Sequence, residues 1–176
     1  TLDATKPLRV TVNAPDIALN LLEPLLTKLP KPLRGALDAA HASLSVNVKG
    51  TPQKLTGDIT FNAWGFGRGL PETLTLSAQI KPAGHASSEV TGDFLVLWRE
   101  GAEALRGNLS VTGLQLPTAT QKNLRIKTWR VLLDVPQQPL ESIKPFVSGL
   151  KKLATGEVAL HLDAHGNLSD AVVSLT

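Results

Sequence analysis

The 176-residue chain contains no cysteine, no methionine and no tyrosine, and aromatic residues make up only 4% of it. Without cysteine there is no thiolate metal site, no thiol nucleophile and no disulfide framework. The absence suits an oxidising compartment, where a stray thiol is a hazard. No apolar run approaches the roughly 18 residues that a membrane-spanning helix needs. Charge of one sign is scarce too: 18 Lys and Arg against 15 Asp and Glu leave a net +3, far from a polycation. A composition 42% hydrophobic and 19% charged excludes a disordered tail and supports a sizeable core. The chain opens on Thr1 without a signal-type segment and closes on AVVSLT (residues 171–176), which reads as an unfinished strand. Both ends are those expected of an excised piece.

What the sequence does have is alternation. Apolar residues recur mostly at every second position, the period of a half-buried strand. LRVTVN sets Leu8, Val10 and Val12 against Arg9, Thr11 and Asn13, and SLSVNVKG sets Leu44, Val46 and Val48 against Ser45, Asn47 and Lys49. DITFNA contributes Ile59, Phe61 and Ala63, and TLTLSAQI contributes Leu74, Leu76, Ala78 and Ile80. Residues 88–98 carry Val90, Phe94, Val96 and Trp98, while Leu95 and Leu97 make that segment apolar on both faces. LSVTGLQL, NLRIKTWRVLLDV and GEVALHLDA complete the series. Turn residues such as Gly50/Pro52, Pro82/Gly84 and Gly101 separate them at short intervals. The expected fold class is all-β: about eight strands, mainly an antiparallel meander joined by hairpins, with two short helices.

The helices are read from two segments that break the alternation. In NLLEPLLTKL, Leu21, Leu22, Leu25, Leu26 and Leu29 follow helical spacing, with Asn20 and Glu23 placed as a capping box. In SIKPFVSGLKKL, Ile143, Phe146, Val147, Leu150 and Leu153 form a second stripe, with Ser142 as cap and Gly156 beyond the end. The predicted helices span 20–29 and 142–154. These segments align without a gap, Pro24 on Pro145, 121 residues apart, with Leu22 on Ile143, Leu29 on Leu150 and Gly35 on Gly156. Each is followed by a strand, a polar Gly turn and another strand. Repetition of a unit that cannot bury its own face implies stacked neighbours. We therefore read residues 1–176 as one domain with repeat units over about 16–63 and 137–176, the second truncated. That makes it an internal fragment of a longer repeat-containing protein.

No catalytic constellation emerges. WGFGRG (residues 64–69) has GxGxG spacing followed by Pro71 and a strand, so it reads as a hairpin tip rather than a phosphate cradle. HLDAH places His161, Asp163 and His165 on one face of a strand, a donor set that can hold a divalent metal. Same-face neighbours lie about 7 Å apart along a strand, wide for a shared ion, so a solvated polar face without metal is expected. There is no GxSxG and no spaced Ser, His and Asp set. His41 and His85 stand alone in polar contexts, and Asp58, Asp93 and Glu100 look like polar-face or turn residues. KNLRIKTWR gathers Lys122, Arg125, Lys127 and Arg130 beside Trp129, read as an amphipathic strand with a basic solvent face. The expected class is non-enzymatic, without cofactor or nucleic-acid partner.

An open one-sided sheet must still cover its apolar face. It either curls into a packed barrel or sandwich or stays partly open as a groove, and periodicity leaves both open. A lining of Leu, Val, Ile and Phe without interspersed polar groups suits acyl chains, each buried methylene contributing about 0.8 kcal/mol without a specific partner.

The order strand, leucine-rich helix around a proline, Gly, strand, polar Gly turn, strand resembles the repeat of the AsmA-like superfamily. It is most similar to the C-terminal region of TamB-like proteins (translocation and assembly module subunit). LLEPLLTKLPKPLRGAL, VKGTPQKLTGDITF, IKPFVSGLKKLATGEVALHL and AHGNLSDAVVSL carry the resemblance. It implies a curved open sheet, a β-taco or incomplete barrel, with a concave apolar face. It implies a protein that spans the periplasm, anchored in the inner membrane by an N-terminal helix. Its partners would be an outer-membrane β-barrel of the insertase family and, as cargo, phospholipid or other acyl chains or unfolded outer-membrane protein strands.

The leading expectation is a conduit segment in envelope biogenesis. Its lining would be Val10 and Val12, Leu44, Val46 and Val48, Ile59 and Phe61, Leu74 and Leu76, Phe94 and Val96, Leu109 and Val111, and Val158, Leu160 and Leu162. The rival is a structural or adhesin-type β-sandwich in which the same residues form an ordinary closed core. A metal-dependent activity at His161 and His165 ranks last.

Overall fold

The computed structural model of the chain describes residues 2–21, 39–67, 70–98, 101–140 and 155–176. They form nine strands: β1 (Leu8–Ala18), β2 (His41–Thr51), β3 (Lys54–Trp64), β4 (Thr73–Ala83), β5 (Ser87–Leu97), β6 (Glu103–Leu114), β7 (Thr128–Pro139), β8 (Glu157–Gly166) and β9 (Ala171–Leu175). All belong to one sheet whose spatial order is the sequence order, and every pairing is antiparallel. β1 and β9 do not meet, so the sheet is open. Almost no helix occurs among the described residues. The helix expected over 20–29 lies outside them from residue 22 on, after a single 3₁₀ turn at 19–21, and the one expected over 142–154 lies wholly outside them.

The antiparallel meander expected from the alternation is the fold, with nine strands rather than about eight. The ninth is AVVSL, the segment that reads as an unfinished strand. The basic run also differs from its reading as one continuous strand. β7 begins only at Thr128, and Lys122, Arg125 and Lys127 sit in the connection from β6. That connection is held by two hydrogen bonds between Gln115 and Arg125, 3.0 and 3.1 Å, and one from the Leu116 amide to the Pro52 carbonyl, 3.1 Å.

β1 to β5 have 11 residues each, about twice the common strand length. At roughly 3.3 Å per residue and 4.8 Å between strands, the sheet measures about 36 by 38 Å. Turn chemistry fixes its register. The β2–β3 ladder runs to Thr51↔Lys54 across the two-residue loop Pro52–Gln53. Gly50 has φ +129°, and a Cβ there would overlap the Lys54 carbonyl oxygen, so only glycine closes this turn. β1 and β7 each carry a bulge, between Ala14 and Ile17 and between Val135 and Gln138. Each bulge contains a proline, Pro15 or Pro136, placed where the ladder needs no donor.

Two clusters of buried side chains pin the β1–β5 half. At one end of the strands Val48, Leu55 and Ile80 pack with Leu8, Val90 and Leu116. At the other, Leu19, Ala40, Ala42 and Ala63 pack with Phe61, Phe66 and Leu74. Ser88, fully buried, accepts the Leu55 amide on its Oγ at 2.7 Å.

Candidate functional site

Directly opposed residues of antiparallel strands project to the same face, so the register can be followed across the whole sheet. One row reads Val12, Val46, Ile59, Ala78, Gly92, Leu109, Val131, Ala164, Val173. The next reads Ala14, Leu44, Phe61, Leu76, Phe94, Gly107, Leu133, Leu162, Leu175, and a third Val10, Val48, Gly57, Ile80, Val90, Val111, Trp129, Gly166, Ala171. Each row crosses all nine strands without one charged or amide side chain. Leu74 and Val96 are opposed beside them, as are Leu160 and Val135, and Val158 faces Gln138 beyond the β7 bulge.

All sixteen lining candidates therefore stand on one face. Their exposure is graded. Val48 and Val96 are buried at 8% and 9%, Val10 and Val12 are 40% exposed, and the other twelve are half-buried. Sequence reading missed the contribution of β7. Trp129, Val131, Leu133 and Val135 belong to the same face, and their period-two spacing was available as a signal. Leu132 interrupts it by making three consecutive apolar residues. Small residues shape the middle of the face: Gly107 lies opposite Phe94, whose ring occupies the space a Cβ would take.

The opposite face is mainly polar, though Trp64, Leu95, Leu97 and Leu132 stand on it, and several of its titratable residues are paired. Asp16, in the β1 bulge, meets His41 (Nδ1···Oδ1 2.6 Å), and the His41 ring stacks on Trp64 with centroids 6.3 Å apart. His41 is thus partnered rather than isolated as the sequence suggested, whereas His85 lies exposed in the β4–β5 turn. His161 turns to Asp134 on β7 (2.6 Å). Asp163 accepts two hydrogen bonds from the Arg130 guanidinium, Nε at 3.0 Å and Nη2 at 2.7 Å, and His165 Nδ1 lies 3.5 Å from it.

The Arg130 hydrogen bonds and charge hold the Asp163 carboxyl below the usual carboxylate range and raise the guanidinium in return. The three candidates of HLDAH share a face but not a centre, because His161 is drawn to one neighbour and Asp163 to another. No group of three or more ligating side chains among the described residues is placed to hold a metal ion. Trp129, expected beside the basic residues, projects from the apolar face, and its Nε1 donates to the Asn167 carbonyl at 2.9 Å. No family model, no curated protein and no solved structure matches the chain.

Proposed function

We propose that this chain is a non-enzymatic segment of a TamB-like, periplasm-spanning protein anchored in the inner membrane. In this reading its apolar face is concave and shields or conducts acyl chains or unfolded apolar strands during envelope biogenesis, with an outer-membrane β-barrel of the insertase family as partner of the whole protein. The observation that carries this is the set of apolar rows running without interruption across an open nine-stranded sheet. A row of nine strands extends about 38 Å, longer than the roughly 30 Å hydrocarbon core of a bilayer, so an acyl chain fits along it with room to move.

Apolar contact is non-directional. A methylene that leaves one position of a row meets an equivalent position next to it, at about 0.8 kcal/mol per CH₂ in each. No hydrogen-bonding group on the rows has to be broken for cargo to advance. The polar face keeps the other side of the sheet in water, and its paired Arg130–Asp163 and His161–Asp134 groups add local order without drawing on the cargo.

The test is native mass spectrometry of the purified chain, with phospholipid expected to co-purify, together with uptake of a fluorescent fatty acid. Val46→Asp or Phe61→Arg abolishes uptake while the far-UV circular dichroism of the sheet is retained. Uptake unchanged by both substitutions overturns the proposal, and global unfolding by both favours the closed-core sandwich instead.

A further inference from the structure

The β2–β3, β4–β5, β6–β7 and β8–β9 connections all lie at one end of the strands, beside the start of β1. The last polar-face row before them runs Arg9, Lys49, Thr56, Lys81, Glu89. This row and the turns beyond it form a rim. Besides Arg9, Lys49 and Lys81, the rim carries Lys6 ahead of β1, Lys54 at the start of β3, and Lys122, Arg125 and Lys127 in the β6–β7 connection. Its carboxylates are Asp3, Glu89 and Asp170. Eight of the chain's 18 Lys and Arg thus stand here with three of its 15 Asp and Glu, and the remaining 10 and 12 leave the rest of the chain net negative. The positive excess of the whole sequence belongs to one rim.

The fold does not use these cations. All eight are exposed. Among the described residues none of them takes part in an ion pair, the paired cationic side chains being Arg106, Arg130 and the histidines His41, His161 and His165. They run in a file rather than converging. From Arg9 to Lys127 at the foot of β7 the rim crosses six strand spacings, about 29 Å along the sheet. Leu124, in the sequence between Lys122 and Arg125, is 42% exposed. The connection that presents it is fixed by the Gln115–Arg125 bonds and by Gln115 Nε2 donating to the Ala86 carbonyl at 2.7 Å. The rim contains no Phe, Trp or Tyr, the side chains on which nucleic-acid bases stack.

We propose that this rim is a docking surface for the headgroup layer of an anionic phospholipid membrane. A file of separate cations matches a layer of many singly charged phosphates, and an apolar side chain among them enters the boundary between headgroups and acyl chains. A single phosphate would need the cations to converge, and a nucleic acid would need stacking partners. Each Lys or Arg close to such a surface raises partitioning by about fivefold, and the attraction falls off within a Debye length. The proposal goes beyond the cargo reading and does not depend on it, since none of the eight cations belongs to the apolar rows.

The test is sedimentation of the full 176-residue chain with vesicles of equimolar phosphatidylglycerol and phosphatidylcholine, against vesicles of phosphatidylcholine alone. Binding is expected to the anionic vesicles and not to the neutral ones. It fades as salt rises from about 0.1 M to about 1 M and the Debye length shrinks from about 10 Å to about 3 Å. Two double variants, Lys49→Gln with Lys81→Gln and Lys122→Gln with Lys127→Gln, each remove two cations and lower partitioning by about thirtyfold. Arg106→Gln, which removes a cation paired with Glu103 away from the rim, leaves partitioning unchanged. The thermal transition and fatty-acid uptake of the double variants stay at the wild-type level, so vesicle binding and cargo uptake fail separately. Equal binding to both vesicle types, binding indifferent to salt or to both double variants, or a single-stranded oligonucleotide bound as tightly as the anionic vesicles overturns the proposal.

Discussion

Aspartate in place of Leu109 distinguishes an accessible face from an ordinary core. Leu109 stands in a middle row between Gly92 and Val131 and is half-buried. Ile80 projects from the same face but is 7% exposed, enclosed with Val48 and Leu55 beneath Leu116. Full burial of a leucine or isoleucine is worth about 1.5–3 kcal/mol, so half-burial is worth about 1 kcal/mol. At Leu109 the new carboxylate keeps its water, and the loss stays near that value. At Ile80 the whole transfer term goes and an unpaired carboxylate is enclosed, for a loss of about 3–5 kcal/mol.

The poor strand propensity of aspartate adds up to about 1 kcal/mol at either site and cancels in the comparison. With a urea slope of roughly 1–3 kcal/mol/M, a difference of about 2–4 kcal/mol separates the two midpoints by about 0.7 M or more. Urea unfolding followed by far-UV circular dichroism reads this directly. Equal losses at Leu109 and Ile80 mean that the middle rows are enclosed, and the argument for an acyl-chain surface then fails.

Ser88→Ala leaves the buried Leu55 amide without its acceptor and costs about 1–3 kcal/mol, read as a lower urea midpoint at unchanged slope. A midpoint within error of wild type contradicts that accounting. Gly107→Ala drives a methyl into the Phe94 ring and the Leu132 carbonyl and destabilises by about 1–3 kcal/mol; Phe94→Leu in the same chain recovers part of the loss. The Asp163 carboxyl is held low in the folded chain by Arg130, so its contribution is present above the ordinary carboxylate value of about 4 and fades as pH falls through its folded value. The melting-temperature deficit of Arg130→Gln is therefore larger at neutral pH than in acid, and a deficit that grows on acidification contradicts the pairing.

Much of the fold was legible because strand and sheet share one period. Each segment of alternating residues became a strand; Pro52 and Gly84 fell in the turns, and Gly50 and Pro82 next to the last residues of the strands that lead into them. What escaped depended on register. Trp129 and Arg130 are adjacent in a basic run, yet a strand sends them to opposite faces, and only pairing with β6 and β8 shows that Trp129 joins the apolar rows. The His41–Asp16 contact needed the β1 bulge, which shifts parity after Ala14 and turns the aspartate toward β2. The candidate lining was readable residue by residue, since alternation assigns a face. Its continuity was not, because a straight row across nine strands requires eight ladders to agree, and no one segment contains that information.

The distance between the two copies also has a meaning as a ruler. β7 is the sixth strand after β1, so the second unit is displaced by six strand spacings, about 29 Å. Six is even, which leaves the copied strand pointing the same way as the original. Duplication of such a module widens the fabric by a fixed step while preserving its grain and its oily side, so reach can be set by counting modules rather than by redesigning any of them.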